Sequence, residues 1–321
     1  MGNNKFTFTS EEIRTFVSRP LFDPEVLCSR DQAHPKISVV IPSYNQAQFL
    51  ERTLLSILNQ NYPNTELIVI DGGSQDGSVA LIKKYEPYLA YWVSEPDQGQ
   101  PSAINEGFSK ASGDLICWQN SDDLYLPGFF STVAESCVAH GRAQLFIGNI
   151  YLINEDDHIV HKSRFPPFSV SHLLYLNWNL SSQAVFLRRQ LVDQVGPLRE
   201  DIQVGFDWDW FIRVGKAVKK KHIVLHRQYG GCYRIHQASK LSSYASELRW
   251  PIEVQILRSH GVRVREELSF QRQPWRQRLF LKTRMFLYSL FLYQNFPRSR
   301  HLRFSILSLL ARYGTICKGF E

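Results

Sequence analysis

Two adjacent acids, Asp122 and Asp123, follow a short apolar run in this 321-residue chain. Paired carboxylates make a hard oxygen site suited to Mg²⁺ or Mn²⁺, ions that also take phosphate oxygens and water. Adjacent side chains diverge, so one carboxylate can ligate the cation while the other reaches a sugar hydroxyl. The same acids would also suit the start of a helix at Leu124-Tyr-Leu-Pro127, where they would face its positive end.

Three further groups carry chemistry. Asp71 opens the turn Asp71-Gly-Gly-Ser-Gln-Asp-Gly77, where a carboxylate can accept from a base or ribose donor and glycines let backbone approach a ligand. A tight turn with Ser74 or Asp76 capping the next helix accounts for the same residues. Asp207 and Asp209 flank Trp208, and a ring beside a carboxylate can desolvate it and raise its basicity toward a hydroxyl proton. Acids in the first turn of a helix are the plainer account of that pair. His236, in Tyr233-Arg-Ile-His236, could complete a metal shell begun by a carboxylate, with Arg234, Ser239 and Lys240 near enough in sequence to hold phosphate oxygens.

The elements that must position these groups read as alternating strands and helices. Lys36–Ile41 is a β-branched run ended by Pro42, and Phe49, Leu50, Leu54, Ile57 and Leu58 then recur at helical spacing. Glu66–Ile70 predicts a strand buried on both faces. A helix through Val79, Leu81 and Ile82, a strand at 89–94, a helix at 103–111 and a strand at 114–118 complete the series. Such alternation implies a mostly parallel sheet flanked by helices, with ligands bound beyond the carboxyl ends of its strands. The second half predicts strands at 145–149, 158–161, 184–187 and 231–235, and helices at 188–195 and from 206.

Composition narrows the classes. Hydrophobic residues at 44% against 21% charged fit a packed protein and exclude a disordered one. Five scattered cysteines without a CxxC pair exclude a disulfide framework and a zinc knuckle. Met285–Pro297 is too short an apolar run to span a bilayer. Charge is lopsided: residues 271–321 hold ten Lys and Arg against Glu321 alone, so the rest of this +7 chain is slightly acidic. That basic, aromatic tail suits an anionic membrane surface or a helical pair packed on the body, and no nucleic-acid-binding module is visible.

Taken in order, Pro42-Ser-Tyr-Asn45, the Asp71–Gly77 turn, Ser94-Glu-Pro-Asp97-Gln-Gly99, Asn120-Ser-Asp-Asp123, Phe206-Asp-Trp-Asp209 and Tyr233-Arg-Ile-His236 resemble the family 2 glycosyltransferases across about residues 36–240. The resemblance implies a GT-A (Rossmann-like) α/β fold, a nucleotide-sugar donor with a UDP-sugar expected first, a divalent metal, and inversion at the anomeric carbon. By matched position, Pro42, Ser43, Tyr44, Asn45, Asp71 and Asp97 would bind the donor, and Asp122 its ribose or sugar. Asp123 and His236 would hold the Mn²⁺ or Mg²⁺, and Asp207 would be the catalytic base. Phe206 stands where the family pattern has Glu, which leaves the base between Asp207 and Asp209. Ile104-Asn105 stands where many members carry Arg-Asn.

The expected organisation is an N-terminal extension over 1–35, a catalytic domain over 36–240 and a helical basic-aromatic region over 241–321. The expected activity moves a sugar to a polysaccharide or lipid-linked glycan, in the cytoplasm or peripherally at the inner membrane face. A nucleotidyltransferase, or a silent scaffold that kept the fold, are the competing readings.

Overall fold

The computed structural model describes residues 7–21, 34–176, 180–237 and 246–262. Two compact units divide the chain, residues 1–173 with 177–252, and residues 174–176 with 253–321. The first holds every sequence-predicted site residue. Residues 263–321, and with them the basic tail and its expected membrane contact, lie outside the described residues, as do Ser239 and Lys240.

The chain begins with α1 (Ser10–Phe16), closed by a reciprocal cap in which Thr9 and Glu12 each accept from the other's backbone. The predicted alternation then appears in order: β1 (Ile37–Ser43), α2 (Ala47–Leu58), β2 (Thr65–Asp71), α3 (Ser78–Tyr85), β3 (Tyr91–Ser94), α4 (Gln100–Lys110) and β4 (Leu115–Trp118). After these come β5 (Leu124–Tyr125), α5 (Phe129–Ala139), β6 (Leu145–Ile153), β7 (Ile159–Ser163), α6 (Val170–Leu176), β8 (Val185–Arg188), α7 (Arg189–Val195), α8 (Phe206–Ala217), β9 (Ile223–Arg234) and α9 (Ser246–Ser259).

Among the described residues nine strands form one sheet in the order β3-β2-β1-β4-β8-β6-β9-β5, with β7 beside β6. The pairs β3-β2, β2-β1, β1-β4 and β6-β9 are parallel. β8 runs antiparallel to both β4 and β6, so β4 and β6 point the same way. The α/β class and the parallel core are as the sequence implies. The core fills from both sides of β1, whose seven residues are all buried. Leu50, Leu54 and Ile57 of α2 pack on Val39, Ile41, Val69 and Cys117, each buried aliphatic side chain contributing about 2 kcal/mol.

Three differences from expectation bear on the site. β1 continues through Pro42 to Ser43. The Val40 carbonyl accepts from Gln119 toward β4, and two residues on, Pro42 faces the same way where β4 has already ended, so its missing N–H leaves no gap in the ladder. The residues after Asp123 form the short strand β5 rather than a helix, with Leu124 and Tyr125 paired to Cys232 and Gly231. This removes the helix-start account of Asp122 and Asp123. β9 begins eight residues earlier than predicted, because His226-Arg227-Gln228 interrupts its apolar run. The ladder to β6 slips there, and the Asn149 amide donates to the Arg227 carbonyl at 2.8 Å to cover the gap.

Candidate active site

Neighbouring loops at the carboxyl edge of the sheet are clasped to one another. The Ser43 carbonyl accepts from Gly72 N–H at 2.9 Å, Asn45 N–H donates to Ser74 Oγ at 2.7 Å, and Gln75 N–H donates to Asn45 Oδ1 at 2.9 Å. Asn45 takes a left-handed φ of 51°, tolerable for Asn because its short polar side chain bonds locally. Asp71 is buried. Its carboxylate accepts from Ser74 N–H (2.9 Å), Ser74 Oγ (2.6 Å) and Ser94 Oγ (2.7 Å), tying the β2 turn to the end of β3. Asp76 bridges two helix starts, accepting from Ala47 N–H at 2.8 Å and Ser78 N–H at 3.0 Å. Burial opposes the charge on Asp76, but those donors and the Ser78 hydroxyl outweigh it and lower its pKa.

Asp97 is exposed and accepts from Gly99 N–H at 2.7 Å. A Cβ on Gly72 would meet its Oδ2 at 3.0 Å, so the Asp97 carboxylate lies against the Asp71 turn. Pro42, Ser43, Asn45, Asp71 and Asp97 therefore share one rim. Tyr44 stands on it 63% exposed, its ring open to solvent.

The acid pair divides sharply. Asp123 is fully buried, and its carboxylate accepts from Arg234 N–H (2.7 Å), Gln183 Nε2 (2.6 Å) and Asn120 Nδ2 (2.9 Å). Burial, and next the charge of Asp122, push the Asp123 carboxyl well above the usual range, against the pull of those donors. Asp122 keeps 19% of its side chain exposed, and its Oδ2 lies 2.9 Å from His236 Nε2. The sequence-based expectation joined His236 to Asp123; the described geometry joins it to Asp122. The carboxylate oxygen suits Mn²⁺ or Mg²⁺, with substrate phosphates and water filling the other positions, and the imidazole nitrogen, a transition-metal donor, favours Mn²⁺ of the two. Among the described residues no three His, Cys, Asp or Glu side chains form a metal cage.

α2 supports this loop from beneath. The Thr53 hydroxyl lies 2.8 Å from the Asp123 carbonyl and 2.9 Å from that of Ser121, sharing one proton between them. Ser56 Oγ accepts from Tyr125 N–H at 3.1 Å, and Gln60 donates to the Leu126 carbonyl at 2.9 Å. Thr53 and Ser56 of α2, with Gln60 in the turn just after it, follow at i, i+3 and i+7 on a face that looks apolar in sequence, which is why sequence reasoning passed over them. Gln183 was missed for a different reason. It belongs to a one-turn 3₁₀ segment, 182–184, with no sequence signature, packed so closely on β9 that a Cβ on Gly231 would meet its carbonyl at 2.1 Å.

Arg234 departs from its expected phosphate-holding role. Its side chain is buried and turned inward: Nε donates to the Asp122 carbonyl at 2.7 Å, and Nη1 to the carbonyls of Asn154 (2.9 Å) and Glu155 (3.2 Å). Its charge is met by Asp157 at 2.6 Å.

α8 opens at the same edge. β9 starts beside Leu145, at the far end of the sheet, so the helix before it must run down from the carboxyl edge. It packs on Trp118, the last residue of β4, through Trp210 and Phe211. Asp207 is exposed at its first turn and accepts from Trp208 N–H at 2.8 Å. Asp209 is buried, paired with Arg213 at 3.1 Å and Arg199 at 4.0 Å. Trp208 does not shield Asp207 as expected, because its indole N–H is drawn to the Leu173 carbonyl at 2.6 Å.

Residues 38–196 match the pattern of Glycosyl transferase family 2. An uncharacterised glycosyltransferase of Mycobacterium tuberculosis is 35% identical over 184 residues, 56% of this chain and 68% of that protein. The chain belongs to glycosyl transferase family 2, whose members are enzymes that transfer sugars. Among solved structures, Staphylococcus aureus TarS 1–349 in complex with UDP-GlcNAc is similar with a TM-score of 0.58 and 18% identity, covering 84% of this chain and 75% of that one. The Pyrobaculum calidifontis mannosyltransferase PcManGT in complex with GDP-Man and Mn²⁺ has a TM-score of 0.52 and 16% identity, covering 97% and 85%. The chain spans as little as 60% of another TarS 1–349 structure. At these identities the likeness is one of fold, and the fold is GT-A.

Proposed function

We propose that this chain is a metal-dependent, inverting glycosyltransferase that moves a sugar from a nucleotide-sugar donor to a hydroxyl of a polysaccharide or lipid-linked glycan. The observation that carries it is the 2.9 Å approach of Asp122 Oδ2 to His236 Nε2, on the edge that also holds the Asp71 and Asp97 turns. Asp122 and His236 are the proposed metal pair, in place of the Asp123 and His236 expected from sequence. Asp123, enclosed by three donors, is assigned to holding the loop. A divalent cation on that pair would stabilise the charge that develops on the departing nucleoside diphosphate.

The nucleoside is assigned to the rim of Pro42, Ser43, Tyr44, Asn45, Asp71 and Asp97. The exposed Tyr44 ring offers it an apolar face, and Asp97 an acceptor. A UDP-sugar is the first donor to test, since UDP-GlcNAc is the ligand of the TarS complex and GDP-Man that of PcManGT. Asp207 is the proposed base. It takes the proton of the acceptor hydroxyl as the oxygen attacks the anomeric carbon opposite the diphosphate, and that single displacement inverts the centre. Its exposure supports this choice over Asp209, whose charge is already matched by Arg213 and Arg199.

The test is a panel of UDP- and GDP-sugars with and without Mn²⁺, read as thermal shift and as release of nucleoside diphosphate. A donor that raises the melting point only with metal, and is turned over, supports the proposal. If no nucleotide shifts the melting point under either condition, the proposal fails.

A further inference from the structure

Behind the site lies a charge cluster that touches none of the donor rim. Asp157 sits in the turn between β6 and β7, only 2% exposed, with a left-handed φ of 63°. Its Oδ2 accepts from Arg52 Nη1 of α2 at 2.8 Å, and its Oδ1 lies 2.6 Å from Arg234 Nη2 of β9. The turn carbonyls of residues 154 and 155 take Arg234 Nη1, and that of Glu155 also takes Arg52 at 3.1 Å. The Phe49 ring packs against both guanidinium groups, 4.8 Å from that of Arg234 and 5.5 Å from that of Arg52, and its centroid is 4.8 Å from the His236 ring.

Both halves of the proposed metal pair hang on Arg234. Its side chain grips the backbone of Asp122, its N–H grips Asp123, and His236 follows it by two residues. A buried guanidinium holds such a position only if its charge is matched, and Asp157 is the carboxylate that matches it. The turn takes a left-handed φ that Asp tolerates through its short polar side chain, and sets that carboxylate between two arginines from different elements.

We propose that Asp157, with Arg52 and Arg234, is a positioning unit that fixes Asp122 against His236 and so sets the affinity of the site for its divalent cation. This rests on the reading that Asp122 and His236 hold that cation. Groups behind a metal ligand commonly change metal affinity by about 10- to 100-fold when removed, without touching the metal.

The experiment is Mn²⁺ binding to the full chain in the presence of UDP, read by the loss of the free Mn²⁺ signal in electron paramagnetic resonance, alongside the melting temperature. Asp157→Asn keeps the volume of the turn and tolerates its φ. It should weaken Mn²⁺ binding about 10-fold or more. Arg52→Gln, at a half-exposed position that is safer for folding, should weaken it by a smaller factor. Glu66→Gln, which breaks a buried network at the opposite end of β2, should lower the melting temperature and leave Mn²⁺ affinity at the wild-type value. The proposal is overturned if Asp157→Asn and Arg52→Gln bind Mn²⁺ as tightly as wild type while Asp122→Asn does not bind, or if Glu66→Gln weakens binding as much as Asp157→Asn. Failure of the wild-type protein to bind Mn²⁺ with UDP would instead remove the metal pair itself, and this unit's role with it.

Discussion

Arg234 N–H donates to Asp123 Oδ1 at 2.7 Å across 111 residues of sequence, joining the end of β9 to the acid loop after β4. Asp123 thus works as a clamp and leaves its neighbour outward. Two adjacent carboxylates, alike in sequence, differ in surroundings: three donors enclose Asp123, while Asp122 keeps 19% of its side chain exposed.

Asp122→Asn and Asp123→Asn should separate these tasks. The first should keep the wild-type melting temperature within a degree or two and lose the Mn²⁺-dependent shift with UDP. The second faces its amide N–H₂ toward buried donors, and leaving such groups unmatched costs about 1–3 kcal/mol each. It should therefore unfold at clearly lower urea. Equal stability of the two variants in a urea titration would refute the division.

The two acids of α8 allow a parallel comparison. Asp207→Asn should leave UDP binding and stability near wild type while turnover falls by about 10²- to 10⁴-fold, the usual worth of a positioned base. Asp209→Asn removes the carboxylate that Arg213 pairs with and should destabilise by about 1–2 kcal/mol, because Arg213 keeps solvent contact and two carbonyl acceptors. Undiminished turnover in Asp207→Asn would move the base elsewhere.

Much of this was legible in the residues themselves. The alternation from Lys36 to Trp118 needs only apolar runs and Gly-Pro punctuation, and both survive folding because strands buried on two faces have little else to encode. The carboxyl-edge convergence of Asn45, Asp71, Asp97 and Asp122 follows from parallel topology. What stayed hidden were contacts between distant segments. That Asp123 is enclosed depends on Gln183 and Arg234, 60 and 111 residues away, and no local pattern announces either. Arg234 looked like a phosphate ligand because a basic residue beside His236 ordinarily faces solvent. The turn carbonyls of residues 154 and 155 and the carboxylate of Asp157 draw it inward instead. Trp208 likewise looked like a shield for Asp207 until the Leu173 carbonyl claimed its N–H.

Stability should depend on acid through Glu66. Burial would raise its pKa, but Lys36 Nζ, both donors of Ser112 and the Ser38 hydroxyl, all within 2.6 Å, overcome that and hold it at about 2, against 4.5 for an ordinary Glu. A carboxyl whose folded pKa is depressed stabilises fully above its unfolded value, and that stability drains as pH falls from about 4.5 to about 2. The contribution is on the order of 3 kcal/mol. In Glu66→Gln the wild-type advantage, measured by urea unfolding, should be full at pH 6 and shrink steadily toward pH 2. A gap that stays constant across that range would show that the ionised carboxylate is not what stabilises the β1–β2 end of the sheet.

Gly231→Ala probes the close approach on which the clamp depends. A methyl group at this position would lie 2.1 Å from the Gln183 carbonyl oxygen and 2.8 Å from its carbon, distances that no side-chain rotation relieves because both atoms are backbone. The 3₁₀ segment must move away from β9, and the Gln183 amide moves with it, off Asp123 Oδ2. Two losses should follow together: about 2 kcal/mol or more of stability from strain and an unmatched buried carboxylate, and weaker Mn²⁺-dependent UDP binding as the acid loop loosens. Gln183→Leu, which removes the donor while leaving the backbone approach intact, should reproduce the second loss with less of the strain. Should Gly231→Ala lose stability and yet bind UDP and Mn²⁺ like wild type, the enclosure of Asp123 would be a packing feature with no hold on the geometry of Asp122.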